Sequence, residues 1–329
     1  MEYRQLGRTD IRVSRVAMGC WQIVGSKIWG KQDEADSTAA VNTALELGVN
    51  LFDTAQGYGS GESEAMLGRA LGSRRDQAII ATKVSPSNLE PDKLVAACEA
   101  SLERLGTDYI DLYQIHWPNW EVPLDDTLGA MKRLQEQGKI HLIGVSNFGP
   151  QDLSAALEHA DIVSDQLAYS LLARMIEYEI QPLCVERGVS ILPYSPLMQG
   201  LLTGKYRSPD EVPDGRARSR HFSDDRPQAR HGQEGCEQET FQAIERVQQI
   251  AKGLGKPMGA VALAWCLHQP AVASVIAGAR NADHVRDNVA AAEVELDQPT
   301  LEALDEATRP VKEKLGPSAD MWAAEPRLR

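Results

Sequence analysis

A (β/α)8 TIM barrel with an N-terminal β-hairpin and extra loops at its C-terminal face is the fold class that this sequence predicts. Eight short apolar runs alternate with longer amphipathic segments from end to end, the pattern of parallel strands joined by helical crossovers. Four residues suited to proton-coupled hydride chemistry, Asp53, Tyr58, Lys83 and His116, stand at or just past the ends of such runs. In a barrel the C-terminal strand ends gather at one mouth, so residues distant in sequence converge there. A length of 329 residues suits one barrel, and the whole chain, 1–329, reads as a single domain.

The eight runs are Val16 to Gly19, Val49 to Phe52, Ala78 to Ala81, Tyr109 to Ile115, His141 to Val145, Ile162 to Ser164, Ser190 to Leu192 and Ser274 to Ala277. Ahead of them, Tyr3 to Leu6 and Ile11 to Val13 flank Gly7-Arg8-Thr9-Asp10, which predicts a β-hairpin placed to plug the barrel bottom. Ser37 to Leu47 has helical spacing through Ala40, Val41, Ala44, Leu45 and Leu47, with Gly48 as its stop. Leu94 to Leu105, Thr127 to Gln137, Asp152 to Glu158, Glu179 to Arg187 and Ala282 to Val289 read the same way. The uncharged stretch from Pro257 to Ala279 is long enough to cross a bilayer. His268, Gln269 and Pro270 interrupt it, so a helix to about Leu267 followed by a buried strand accounts for it better.

Periodicity lapses over residues 207–237, a polar loop in which Arg216, Arg218 and Arg220 alternate. Its length implies either a lid or disorder. The C-terminal tail, 310–329, is weakly patterned and carries Trp322, which is large enough to cover a pocket.

Hydrophobic residues at 43% and charged residues at 25% are ordinary globular values. Forty-seven acids against 34 bases give a net charge of −13, which repels polyphosphate backbones and anionic lipid, so neither nucleic acid nor a membrane is the expected partner. The first residues carry charges throughout, with no apolar stretch before a cleavage site, and the cytoplasm is the expected location. Five widely spaced cysteines without a C-x-x-C pair predict reduced thiols.

A phenol with a reference pKa of about 10 is a sluggish acid near neutrality unless its conjugate base is stabilised. An ammonium at Lys83 would lower the pKa of Tyr58, and a carboxylate at Asp53 would hold that ammonium in place. His116 is placed to hydrogen-bond a carbonyl oxygen or to assist proton movement. Asp53 and Tyr58 share one loop, Asp-Thr-Ala-Gln-Gly-Tyr-Gly, whose glycines permit tight backbone geometry beside the phenol.

These residues lie in Asn50-Leu-Phe-Asp-Thr-Ala-Gln-Gly-Tyr58, Ala81-Thr-Lys83, Gln114-Ile-His116 and Gly144-Val-Ser-Asn-Phe148. Through them the sequence resembles the aldo-keto reductase superfamily, in particular its bacterial NADPH-dependent members. The resemblance continues in Asp165-Gln166, Pro193-Tyr-Ser-Pro-Leu197 and Gly278-Ala-Arg280, and covers nearly the whole chain. It implies that Tyr58 is the general acid, tuned by Lys83 and Asp53, while His116 orients the substrate. It implies that Ser146, Asn147 and Gln166 hold the nicotinamide carboxamide while Tyr194 stacks on the ring, with Trp21 nearby. The segment Ser195, Pro196, Leu197, Gly200, Leu202, Gly204 and Lys205 would take the pyrophosphate. Gly278, Ala279 and Arg280 would stand near the adenosine 2′-phosphate, followed by His284 and Asp287, with Asn288 at the adenine.

Arg280 offers a planar fork suited to phosphate, which favours NADPH; Ala279 removes a hydroxyl donor that many relatives have, which leaves room for NADH. No Rossmann fingerprint is present, since Glu62 stands where the third glycine would be, and Gly204-Lys205 lacks the Walker spacing. Trp21, Trp29, Trp117 and Trp120 would wall a pocket for a small carbonyl or alcohol substrate. Two other classes compete. One is a cofactor-sensing interaction subunit, resembling the potassium-channel β subunits of the same superfamily. The other is a metal-dependent hydrolase using Asp53 and His116, which lacks a second nearby histidine.

Overall fold

The computed structural model describes residues 1–26, 28–323 and 325–329. A hairpin of β1 (Tyr3–Gln5) and β2 (Arg12–Ser14) precedes β3 (Val16–Gly19), β4 (Leu51–Asp53), β5 (Ile79–Val84), β6 (Ile110–Ile115), β7 (Ile140–Ser146), β8 (Ile162–Ala168), β9 (Ser190–Tyr194) and β10 (Val275–Gly278). The last eight strands are parallel and pair in the order β10-β3-β4-β5-β6-β7-β8-β9. The seam is closed just ahead of β10, where Ile191 N–H donates to the Ala271 carbonyl at 2.8 Å and Ala273 N–H donates to that of Ile191 at 3.2 Å. The eight apolar runs thus mark a (β/α)8 barrel.

Several strands extend further than their apolar runs. β5 continues through Thr82, Lys83 and Val84, and β8 through Asp165 to Ala168. The polar residues in these extensions occupy strand positions, so Asp53 and Lys83 lie inside strands and not in the loops after them.

The helices are α1 (Glu34–Glu46), α2 (Glu62–Leu71), α3 (Pro91–Leu105), α4 (Leu124–Glu136), α5 (Pro150–His159), α6 (Ile180–Arg187), α7 (Glu237–Gly253), α8 (Met258–His268), α9 (Ala282–Ala290) and α10 (Gln298–Leu315). Asp33, Asn281 and Asp297 cap α1, α9 and α10, each side chain accepting a backbone N–H of the first turn. Pro257 to Ala279 divides into α8 and β10 as its interruption predicts. Among the described residues no helix is long and apolar enough to cross a membrane.

Three helices have no counterpart in the sequence reading. α2 carries Gly68 in its interior, where a Cβ would stand 2.4 Å from the Leu105 carbonyl oxygen, so the glycine permits close approach to α3. α7 and α10 pack on each other outside the barrel repeat. α10 also runs through Pro310, making the first part of the expected tail helical to Leu315. Burial of Val311 and Leu315 holds it there against a proline penalty of about 3 kcal/mol.

The hairpin seals the barrel floor. Leu6 and Val13 are fully buried with Ala17, Leu51, Ala81, Leu112, Val163 and Leu192, a cluster distinct from the core between strands and helices. Gly7 N–H donates to Ser190 Oγ at 2.7 Å, and at φ +58° a Cβ on Gly7 would lie 2.6 Å from the Val163 carbonyl oxygen. Leu6→Ala opens a void in this floor and should lower stability by about 2–5 kcal/mol, read from the urea midpoint. An unchanged midpoint would mean that the hairpin does not seal the barrel.

Candidate active site

Strand alternation builds the site. Leu51, Ala81, Leu112 and Leu192 belong to the inner apolar layer. Two residues further along the same strands come Asp53, Lys83, Gln114 and Tyr194, on the same inward face but nearer the mouth. Register sets them level with their neighbours: Lys83 pairs with Gln114, Ser146 with Gln166, and Ala168 with Tyr194. Thr82, pointing the other way, donates instead to Glu64 Oε1 at 2.5 Å.

Lys83 is the hub. Its Nζ donates to Asp53 Oδ2 at 2.8 Å, to the Thr54 carbonyl at 2.9 Å and to the Tyr58 hydroxyl at 3.2 Å. Gln166 Nε2 satisfies the other carboxylate oxygen, Asp53 Oδ1, at 2.7 Å. Tyr58 reaches the hub from a turn in which Gly59, Ser60 and Gly61 all take positive φ. The His116 ring stands edge-on to Tyr58 at 5.8 Å, and Trp21 stacks on Tyr58 at 5.6 Å. The four residues singled out from sequence therefore meet at one place.

Burial and mutual charge set the protonation states. Burial works against the Lys83 ammonium, but Asp53, the phenol and their hydrogen bonds outweigh it and hold Lys83 above its ordinary range. For Tyr58 burial is the larger effect and raises its pKa, while Lys83 pulls it back down. The phenol is thus protonated near neutrality, and the net shift is upward, opposite to that expected from Lys83 alone. Burial, reinforced by Lys83, pushes His116 down to about 3, so its imidazole is neutral.

These groups open onto a cavity of about 1350 Å³. At the tetrad end it is lined by Asp53, Tyr58, His116, Ser146, Asn147, Gln166 and Tyr194, while Lys83 is completely buried behind them. Asn147 braces this wall with positive φ: its amide nitrogen donates to the His116 carbonyl and Ser146 Oγ, and its oxygen accepts the Tyr194 hydroxyl at 2.9 Å. Further along lie Ser195, Pro196, Leu197, Gly200 and Lys205, then Gly278, Arg280, His284, Asp287 and Asn288. Leu202 and Ala279 are buried in the core and do not line the cavity, and Gly204 stands apart beside Gln248 and Met258.

Trp21, Trp29 and Trp117 line the cavity, but Trp120 does not. It is 45% exposed, donates from Nε1 to Asp152 Oδ1 at 3.0 Å and lies 3.6 Å under the Arg329 guanidinium. Of the two tryptophans in the turn after β6, only Trp117 reaches the cavity.

Other lining residues come from the segments without periodicity. Arg216, Arg218, Gln228 and Arg230 belong to the 207–237 loop, Trp322 and Arg327 to the tail. The loop is docked by Arg220, whose guanidinium donates to Gln233, Leu315, Ser318 and Asp320, and by His221, buried against Leu172. The alternation of arginines was the sequence signal for this loop; its docking to the tail had none. Arg280 spends three of its donors on Gln32 Oε1, the Trp29 carbonyl and the Lys31 carbonyl, which leaves two of the five that a guanidinium has. Among the described residues no cluster of three or more His, Cys, Asp or Glu is placed to hold a metal, and the five cysteines are unpaired and buried.

The family model described as the Aldo/keto reductase family matches residues 15–309. The chain belongs to that family. This aldo-keto reductase is therefore an oxidoreductase by descent, and its relatives extend over most of its length. An aldo-keto reductase of Bacillus subtilis, YhdN, is 35% identical, covering 85% of each chain. An NADH-specific methylglyoxal reductase of Escherichia coli is 34% identical over 88% of this chain and 93% of its own. A crystal structure of an aldo-keto reductase from Klebsiella pneumoniae in complex with NADPH superposes with a TM-score of 0.72 at 27% identity, covering 90% of this chain and 91% of that one.

Neutral buried imidazoles make the fold acid-sensitive. The pKa of His221 falls to about 4, chiefly through burial, and that of His116 to about 3, against 6.5 for an ordinary histidine. Between those values and 6.5 the unfolded chain binds more protons than the folded one, so stability falls as pH falls through this window. Each ring should cost about 2 kcal/mol by roughly pH 5. Urea midpoints measured from neutrality downward should drop, and the drop should be shallower in His221→Gln; an identical slope in that variant would contradict the assignment.

Proposed function

We propose that this aldo-keto reductase reduces an aldehyde, ketone or keto sugar by direct hydride transfer from NADPH, with NADH as an alternative donor and Tyr58 as general acid. The observation that carries the reading is the contact of one buried ammonium, Lys83 Nζ, with Asp53, the Thr54 carbonyl and the Tyr58 hydroxyl at the wall of a large cavity.

The cavity suits a nicotinamide dinucleotide. One end offers the aromatic face of Tyr194 beside Ser146, Asn147 and Gln166; the middle offers Lys205 and Arg216 beside Gly200, where positive φ opens the backbone. Gln199 lines the same strip with both amide atoms buried and unpartnered, a donor and an acceptor waiting for a polar ligand. Arg280 keeps two donors for a phosphate, and His284 and Asn288 line the far end. When bound, the reduced nicotinamide supplies hydride to the substrate carbon.

The protein's own part is proton control and positioning. Neutral His116 donates an N–H to the carbonyl oxygen and fixes its direction. Tyr58 gives its hydroxyl proton to that oxygen as negative charge develops there. The phenolate left behind is stabilised by Lys83, which Asp53 keeps charged in a buried setting. Trp21 and Trp117 enclose the carbon skeleton and exclude water. In alcohol oxidation the same groups act in reverse.

Tyr58→Phe should bind NADPH as the wild type does but lose carbonyl reduction by about a hundredfold to ten-thousandfold, measured as absorbance decay at saturating cofactor. Wild-type turnover in that variant would defeat Tyr58 as the acid. Cofactor binding without turnover on any carbonyl, in the unaltered protein, would favour the interaction-subunit reading. Arg280→Ala should weaken NADPH by about tenfold and NADH much less in direct titration. Equal losses would remove the 2′-phosphate from its assignment.

A further inference from the structure

We propose that the substrate carries an anionic group, a carboxylate or a phosphate, received by Arg218 and Arg230 at the end of the cavity beside Tyr194 and Trp322. The inference rests on the carbonyl-reductase reading and names the substrate class for that same site.

Both arginines line the cavity from the 207–237 loop, and neither has a counter-ion: among the described residues no carboxylate lies within 4.0 Å of either guanidinium. Neighbouring arginines are otherwise engaged. Arg216 donates to the Tyr206 hydroxyl, Arg220 to the tail, Arg226 pairs with Glu237, and Arg327 pairs with Asp320. In a chain with 47 acids and 34 bases, two adjacent cations left without an acid form a site with unmatched positive charge. Arg218 Nε is buried and has no hydrogen-bond partner at all. Burial and the nearby charge of Arg230 both disfavour its cationic form. An arriving oxyanion offsets the mutual repulsion by neutralising the pair, and the guanidinium fork matches its geometry.

Position separates this pair from the cofactor's cations. Lys205 and Arg216 stand together at Gly200, and Arg216 lies 5.3 Å from the Trp29 ring whose backbone holds Arg280. Arg218 lies instead 4.7 Å over the Trp322 ring, and Trp322 sits against the Tyr194 hydroxyl. That hydroxyl is bonded to Asn147, which in turn holds the His116 backbone. The cationic pair therefore faces the part of the cavity where the carbonyl would be reduced.

The test compares substrates that differ in charge and little else: para-formylbenzoate against its methyl ester, and glyceraldehyde phosphate against glyceraldehyde, with the full chain and saturating NADPH. At least one charged member should exceed its neutral partner in kcat/KM by about tenfold or more, and added salt should shrink that ratio. The preferred pair identifies carboxylate or phosphate. Arg218→Ala and Arg230→Ala should each cut the ratio by about tenfold through KM, with the Kd for NADPH changing by less than about threefold. Arg230 is exposed, so its variant keeps the test open if the Arg218 variant folds poorly. Charged and neutral members turned over equally would overturn the inference and leave the reductase reading standing. An NADPH Kd that rises as much as the KM would assign the pair to the cofactor and overturn it as well. No turnover of any of the four would defeat the reductase reading itself.

Discussion

The buried pair of Lys83 and Asp53, with side chains 0% and 4% exposed, is the constraint around which the rest of the site is arranged. Such a pair adds little net stability, because desolvation offsets most of the attraction, but losing either partner strands a charge at a cost of about 3–5 kcal/mol. Each remaining hydrogen-bonding position must therefore be met. Gln166 meets the second carboxylate oxygen, while the Thr54 carbonyl and the Tyr58 hydroxyl meet the ammonium. This completeness fixes the phenol in space. It also explains why three strands, β4, β5 and β8, must hold their register for the Tyr58 hydroxyl to be in place.

The same pair constrains its neighbours electrostatically. Burial drives the His116 pKa down, and the Lys83 ammonium drives it further the same way. Tyr58 feels both partners: Lys83 favours its phenolate, whereas burial and Asp53 favour the neutral phenol. The outcome is a cluster with one cation, one anion and otherwise neutral donors. The cavity wall at this point therefore carries directed hydrogen-bonding groups with little net charge.

The barrel and its tetrad were legible in the sequence because both depend on short-range pattern. Apolar runs mark buried parallel strands, and the residues two positions beyond Leu51, Ala81 and Leu112 inherit the inward direction from strand alternation. What hid the full strand lengths was chemistry: Lys83, Asp165 and Gln166 look like loop residues by polarity while continuing strands by geometry. α2 escaped because Gly68 interrupts its helical character, and its reason is a contact with Leu105 in another helix. α10 escaped at Pro310 for a similar reason, since Val311 and Leu315 are buried by partners distant in sequence. Trp120 misled because a tryptophan beside a strand end is equally suited to a pocket or to a bracket. Only the course of the turn decides between them.

Trp120 belongs to that bracket. Its indole is held by Asp152 and covered by Arg329, whose backbone oxygen accepts N–H groups from Gln151 and Asp152 and whose own N–H donates to Asp152 Oδ2. Gly149 makes the contact possible, since a Cβ there would stand 2.1 Å from the Arg329 oxygen. At its other end the tail is bound by Arg220, and between the two anchors Arg327 covers Trp117 at 3.9 Å while Trp322 meets Tyr194. The tail over Trp117 and Tyr194 is thus hung from α5 on one side and from the 207–237 loop on the other. Each support has anchors of its own, Asp152 with Trp120 and Arg329 on one side and Arg220 with Leu315 and Ser318 on the other. Asp53 and Lys83 are fixed by strands and the tail by contacts across the molecule, which is why the first could be read from local pattern and the second could not.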